Sequence, residues 1–188
     1  MEKRLFLGFL VSNKISKVVP LLKTTMSPKE INSFKWLSGK NIHLTISFLG
    51  NINDDMVKEL ISRLRKKIRQ NMFEIEIKDT GVFPSNKYPN ILWLGISKGE
   101  LEIIKLRKQI NSSLKSISSI RKEKFTPHIT IARLKKTNMK IDVSSFINTV
   151  YSPIEFLVDS IHLYESRLTS QGAKYQSLAL FPLSKMKG

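Results

Sequence analysis

The apolar positions of this chain alternate between a period of two and a period of three to four, so the sequence predicts strands interleaved with helices. Lys3–Val11 (KRLFLGFLV) is apolar on both faces, as expected of a strand inside a sheet. Ser12 can cap a helix beginning there, and Ile15, Val18, Val19 and Leu22 recur at helical spacing. Pro20 predicts that this helix is kinked or begins late. Ile42–Gly50 (IHLTISFLG) reads as a strand ended by its glycine. A helix capped by Asn53 is expected through Arg69, with Met56, Leu60, Ile61, Leu64 and Ile68 inward and Lys58, Arg63, Arg65, Lys66 and Lys67 outward. Phe73–Phe83 alternates as a half-solvated antiparallel strand, and a loop with Pro84, Asn86 and Pro89 leads to a strand over Ile91–Ser97. Glu100 to Ile117 reads as a second long helix, inward at Leu101, Ile104, Leu106, Ile110 and Leu114. A strand over Lys124–Leu134 comes next, with Pro127 suited to its start or to an edge, then a short helix at Phe146 and Ile147. The end reads as two strands, Ile154–Ser166 and Tyr175–Leu183, joined by a turn at Ser170–Lys174.

The order echoes itself, because each half holds a strand with a histidine, a long helix and further antiparallel strands. No Pro/Gly-rich or low-complexity segment divides the halves. The expected fold class is α+β: two similar lobes of sheet and helix across a central groove, with residues 1–188 as a single bilobal domain.

An apolar fraction of 41% supplies a packed interior. The absence of cysteine excludes disulfides, thiolate metal sites and cysteine nucleophiles, and it fits a reducing compartment. The apolar run Leu5–Val11 is too short to span a bilayer, so the chain is expected to be soluble and cytoplasmic, with no membrane partner. Against 15 Asp and Glu stand 32 Lys and Arg, a formal charge of +17 that attracts polyanions, nucleic acid first among them. Compositional drift toward Lys, Ile, Asn and Ser would produce the same excess, so charge alone leaves both readings open.

Two of the three histidines share one setting: His43-Leu44-Thr45-Ile46 and His128-Ile129-Thr130-Ile131. On a strand, histidine and threonine then lie on one face while the aliphatic residues bury the other. Two such pairs facing each other suit phosphodiester cleavage. One neutral imidazole takes a proton from water, and one imidazolium gives a proton to the leaving oxygen. The Thr45 and Thr130 hydroxyls can bond the non-bridging oxygens, and Arg133 can add a charge-assisted bond. The histidine strands carry no Asp or Glu at ligand spacing, so no metal and no cofactor are expected. A lone H-x-T motif is weak; its recurrence with matching flanks gives it weight. His162 has no partner threonine and reads as a surface residue of a strand, and Trp36 and Trp93 as core or loop anchors.

HLTISFLG and FTPHITIAR resemble the two signature motifs of the 2H phosphoesterase superfamily, in particular the RNA 2′,3′-cyclic phosphodiesterase (2′-5′ RNA ligase) family. KRLFLGF, GVFPSNKYPNILWLGI and LYESRLTSQGAKYQSLALFPL resemble further segments of that family in the same order, so the likeness covers nearly the whole chain. It implies a pseudo-symmetric two-lobed fold and the opening of a terminal 2′,3′-cyclic phosphate on RNA to a 2′-phosphate. It also implies roles: His43 as the acid on the departing 3′ oxygen, His128 as the base on water, and Thr45, Thr130 and Arg133 as phosphate holders. For Phe48 it suggests base stacking, whereas strand parity puts that ring on the face opposite Thr45 unless the strand bends. The expected partner is RNA ending in a cyclic phosphate, met by a monomer with no obligate protein partner. Small cyclic nucleotides or 2′-5′ oligonucleotides are alternative substrates, and a non-catalytic basic RNA-binding module is the reading outside enzymology.

Overall fold

The structure, a computed structural model, describes residues 1–37, 39–114, 125–135, 141–170 and 172–185, with the side chains at 12, 13 and 40 excepted. In chain order the elements are β1 (Glu2–Leu10), α1 (Ser12–Ile15), α2 (Val18–Thr24), α3 (Pro28–Ser33), β2 (Phe34–Trp36), β3 (His43–Asn53) and α4 (Asp54–Lys67). Then come β4 (Phe73–Ser85), β5 (Tyr88–Lys98), α5 (Glu100–Leu114), β6 (Ile129–Leu134), α6 (Ser144–Ile147), β7 (Ile154–Val158), β8 (Ser160–Thr169) and β9 (Gly172–Pro182). The expected continuation of α5 to Ile117, the strand start at Lys124 and Gln171 of the last turn lie outside the described residues.

Among the described residues one antiparallel sheet runs β7-β4-β5-β6-β3-β1-β8-β9, with β2 beside β6. Its two halves, β7-β4-β5-β6 and β3-β1-β8-β9, meet through one register pair, Leu44 with Ile129. Beyond that pair β3 and β6 part, and β2 takes over the edge of β6 through Phe34, Lys35 and Trp36. This seam between two four-stranded halves is the structural form of the sequence echo. α4 and α5 pack on each other and on β3, and a continuous apolar core joins them to both half-sheets.

Several elements depart from the sequence reading. Ile154–Ser166 is two strands, broken at Asp159: β7 pairs with β4 at one end of the sheet and β8 pairs with β1 in the other half. The break lets Val158 end one strand and Ile161 enter the other with both side chains buried. The helix after β1 is two short pieces. Val11, not Ser12, stands at the N-cap of α1, and Pro20 sits in the first turn of α2, where its missing N–H needs no helical partner. Asn53 holds the N-cap position of α4 without a side-chain cap bond. In α5 the inward position belongs to fully buried Ile103, while Leu101 is 67% exposed. α3 is an addition: Ser27 and Glu30 form a reciprocal capping box around Pro28. β3 also continues past Gly50, whose φ of 74° a side chain would disfavour, to Asn53.

Candidate active site

The seam positions the histidines. His43 opens β3 and His128 directly precedes β6, one residue from Leu44 and Ile129 respectively. That pair sets the two motifs side by side, His43 and Thr45 flanking Leu44 on one strand and His128 and Thr130 flanking Ile129 on the other.

Both rings are held in the same way. His43 Nδ1–H donates to the Asn41 carbonyl at 2.7 Å, and His128 Nδ1–H donates to the Thr126 carbonyl at 2.8 Å. In each case the acceptor lies two residues upstream. These bonds fix the neutral tautomer with its proton on Nδ1 and leave Nε2 for proton transfer. Each ring is also flanked by an aromatic side chain of the neighbouring strand. Phe6 of β1 lies 5.0 Å from His43, and Trp93 of β5 lies 6.1 Å from His128. Tyr175 and Phe83 complete the two walls, edge-on at 4.9 Å.

Electrostatics couple the two halves. Burial holds His43 below the ordinary histidine value. The Asn41 carbonyl opposes this, and the positive charge of Arg133 and the proximity of His128 push the same way as burial. His128 is lowered too, by burial first, with the Thr126 carbonyl opposing and Arg133 adding to the shift. Arg133 thus acts on both imidazoles and on the Tyr175 hydroxyl as well.

Arg133 and Phe48 each come five residues after their histidine, an odd spacing that would put them on the face opposite the imidazole. A bulge in each strand reverses this. On β3, Gly8 pairs with Thr45 and Leu7 with Ser47, leaving Ile46 as the extra residue. On β6, Trp93 pairs with Thr130 and Leu92 with Ala132, leaving Ile131 extra. Each bulge falls directly after the threonine of the motif. Phe48 accordingly pairs with Phe6, lies 6.2 Å from that ring and is 62% exposed, on the His43 side. α5 braces the β3 bulge: Arg107 donates to the backbone carbonyl of the extra residue Ile46 at 2.6 Å, and the Ser47 side-chain hydroxyl donates to Asn111 Oδ1 at 3.0 Å.

The structure therefore brings His43, His128, Thr45, Thr130 and Arg133 to the seam, with Phe48 beside it. Trp93, read from the sequence as a core or loop anchor, is half-buried and flanks His128. A Cβ on Gly81 would meet the Trp93 indole at 2.1 Å, so only glycine leaves this ring its place. Trp36 ties β2 to α3, its indole N–H donating to the Ile31 carbonyl at 3.0 Å, and it packs against the apolar core. Sequence reading gave no sign of Asn41, whose carbonyl holds His43 while its side-chain amide donates to the Ala173 carbonyl of the β8–β9 hairpin at 3.0 Å. A backbone acceptor leaves no residue signature. No cluster of three or more His, Cys, Asp or Glu able to hold a metal occurs among the described residues.

A model of the 2′-5′ RNA ligase superfamily matches residues 28–169, a span holding both histidine motifs. The chain belongs to this superfamily. Among curated relatives, the RNA 2′,3′-cyclic phosphodiesterase of Aquifex aeolicus is 33% identical over 186 residues, covering 96% of this chain and 97% of that protein. The Thermotoga maritima RNA 2′,3′-cyclic phosphodiesterase is 32% identical, covering 76% of each chain. Solved structures share the fold at lower identity. TT0787 of Thermus thermophilus matches with a TM-score of 0.78 at 20% identity, covering 98% of this chain and all of that one. E. coli LigT complexed with 3′-AMP matches with 0.76 at 22% identity and the same coverage.

Proposed function

We propose that this protein is an RNA 2′,3′-cyclic phosphodiesterase that opens the terminal cyclic phosphate to a 2′-phosphate with two histidines and no metal. The names of its full-length relatives support the reaction. The observation that carries the mechanism is the pair of imidazoles at one seam, each with Nδ1 tied to a carbonyl two residues upstream and both under the charge of Arg133.

His128 Nε2 takes a proton from water as the water oxygen forms its bond to phosphorus. The bond from phosphorus to the 3′ oxygen breaks on the far side, and His43 Nε2 delivers a proton to that oxygen. The products are a free 3′-hydroxyl and a 2′-phosphate, and the proton returns from His128 to His43 through solvent. Thr45, Thr130 and Arg133 hold the non-bridging oxygens, where charge gathers in the transition state. The Nδ1 tethers fix the direction in which each Nε2 points and help stabilise each imidazolium. Binding the phosphate offsets the Arg133 charge, so His43 gains proton affinity when substrate arrives. Phe48 offers an exposed ring to the terminal base. The reverse reaction, with an RNA 5′-hydroxyl in place of water, gives 2′-5′ ligation. In this reading residues 1–188 work as one bilobal domain, a cytoplasmic monomer whose +17 charge draws in RNA.

The test is incubation of the protein and excess EDTA with a short RNA ending in a 2′,3′-cyclic phosphate, the end group being identified against 2′- and 3′-phosphate standards. A 2′-phosphate is expected. A 3′-phosphate would reverse the leaving oxygen, and loss of activity in EDTA would replace the two-histidine mechanism with a metal-dependent one.

A further inference from the structure

Beside the seam, the β3-β1-β8-β9 half carries a pile of rings that the reaction itself does not need. Tyr164 stacks with two rings, Phe6 at 5.2 Å and 26° and His162 at 5.3 Å and 15°. Phe6 and Tyr164 are buried, but His162 is only partly covered, so the pile runs from the side of His43 outward and ends in a solvent-facing imidazole. Two neighbours on β9 flank that last ring. Its Nδ1 is 2.9 Å from Ser177 Oγ, and its cross-strand partner on β9 is Leu180, a 48% exposed leucine. His162 pairs with Gly8, which pairs with Thr45, so it lies two strand spacings, about 10 Å, from the threonine beside the phosphate site. Gly8 puts no side chain between them. Phe48 stands on the other flank of Phe6, so Phe48 and His162 are two separate platforms and cannot share one base.

Resting on the phosphodiesterase reading, we infer that His162, with Leu180 beside it, is a second base-stacking subsite, which receives the nucleobase preceding the terminal cyclic-phosphate nucleotide. A base laid on His162 extends a stack that is already built and ordered, so little conformational freedom is lost on binding. The enzyme then prefers a chain of two or more nucleotides to a mononucleotide, independent of base identity, because every base offers a π face.

The experiment compares uridine 2′,3′-cyclic monophosphate with the dinucleotide UpU ending in a 2′,3′-cyclic phosphate, using wild type, His162→Ala and His162→Phe. In wild type, kcat/KM is expected to be higher for the dinucleotide. His162→Ala should raise KM for the dinucleotide about fivefold or more while leaving mononucleotide hydrolysis unchanged, and His162→Phe should restore the preference. An unchanged dinucleotide KM in His162→Ala, or an equal loss on both substrates, would overturn the inference and leave the phosphodiesterase reading standing. Hydrolysis of neither substrate by wild type would overturn both.

Discussion

The two halves of the sheet hold their histidines alike and use the next exposed position differently. On both sides a histidine is tied by Nδ1 to a carbonyl two residues back, a threonine comes two residues on, and a bulge lies directly after it. The side chain that each bulge turns toward the seam is Phe48 on one side and Arg133 on the other. The surroundings obey the same division. The Phe48 half gathers the rings of Phe6, Tyr164, Tyr175 and His162. The Arg133 half has Phe83 and Trp93 behind its imidazole and places the guanidinium where both histidines feel it. In the proposed mechanism this duplicated frame supplies paired proton transfer, and a single position in each copy, Phe48 or Arg133, divides base recognition from charge stabilisation.

The strongest way to break the comparison is to remove what the halves share. His43→Ala and His128→Ala should each lower kcat by about a hundredfold or more on a cyclic-phosphate RNA, the usual weight of a general acid or base. Circular dichroism and thermal unfolding should stay close to wild type, since neither ring lies in the apolar core. A variant that kept most of its activity would show that the halves are not partners.

Removing what distinguishes the charged half comes next. Arg133→Ala should cost about a hundredfold in kcat/KM through lost transition-state stabilisation. It should also move the pH profile in a direction that a purely structural residue would not. Burial and Arg133 both hold the histidines below 6.5, so the wild-type limbs of kcat/KM should fall on the acid side of that value. Deleting a nearby positive charge favours the protonated rings, so both limbs should shift to higher pH. A profile that stayed in place would separate Arg133 from the imidazoles.

On the aromatic half, Phe48→Ala should raise KM about five- to tenfold with kcat little changed, for mononucleotide and oligonucleotide alike. Ser47→Ala sharpens the same point by acting on the bulge rather than on the ring. It removes the bond to Asn111 that helps hold the β3 bulge, so a smaller KM rise of the same kind is expected from steady-state kinetics. The smallest effect on chemistry should come from Gly81→Ala. The added methyl displaces Trp93 and should lower stability by about 1–3 kcal/mol in denaturant titration, with a modest rate loss through His128.

The sequence carried the fold class and the paired motif because both depend on local patterns. A His-x-Thr repeat with aliphatic partners specifies one wet and one dry strand face wherever the strands end up. The faces of Phe48 and Arg133 were not legible in the same way. Alternation counts residues within a strand, whereas a bulge depends on what the neighbouring elements can satisfy, here Arg107 and Asn111 on α5. The break at Asp159 is hidden for a similar reason: Ile154–Val158 and Ser160–Ser166 each alternate well, and only their pairing in different halves shows that they are two strands. α3 differs, since its Ser27-Pro28-Lys29-Glu30 start is a complete local signal. It is easily passed over because none of its residues is buried, so no apolar stripe advertises the helix.

The central claim is that the two imidazoles do complementary proton chemistry on opposite sides of one phosphorus. The most direct test measures His43→Ala and His128→Ala on RNA whose cyclic phosphate carries sulfur in place of the bridging 3′ oxygen. A departing thiolate needs no proton, so it bypasses the acid but not the base. Both variants should be crippled on the oxygen substrate. With sulfur, His43→Ala should regain near wild-type turnover while His128→Ala stays slow. Equal behaviour of the two variants on the sulfur substrate would contradict the division of labour, and rescue of His128→Ala instead would reverse the assigned roles.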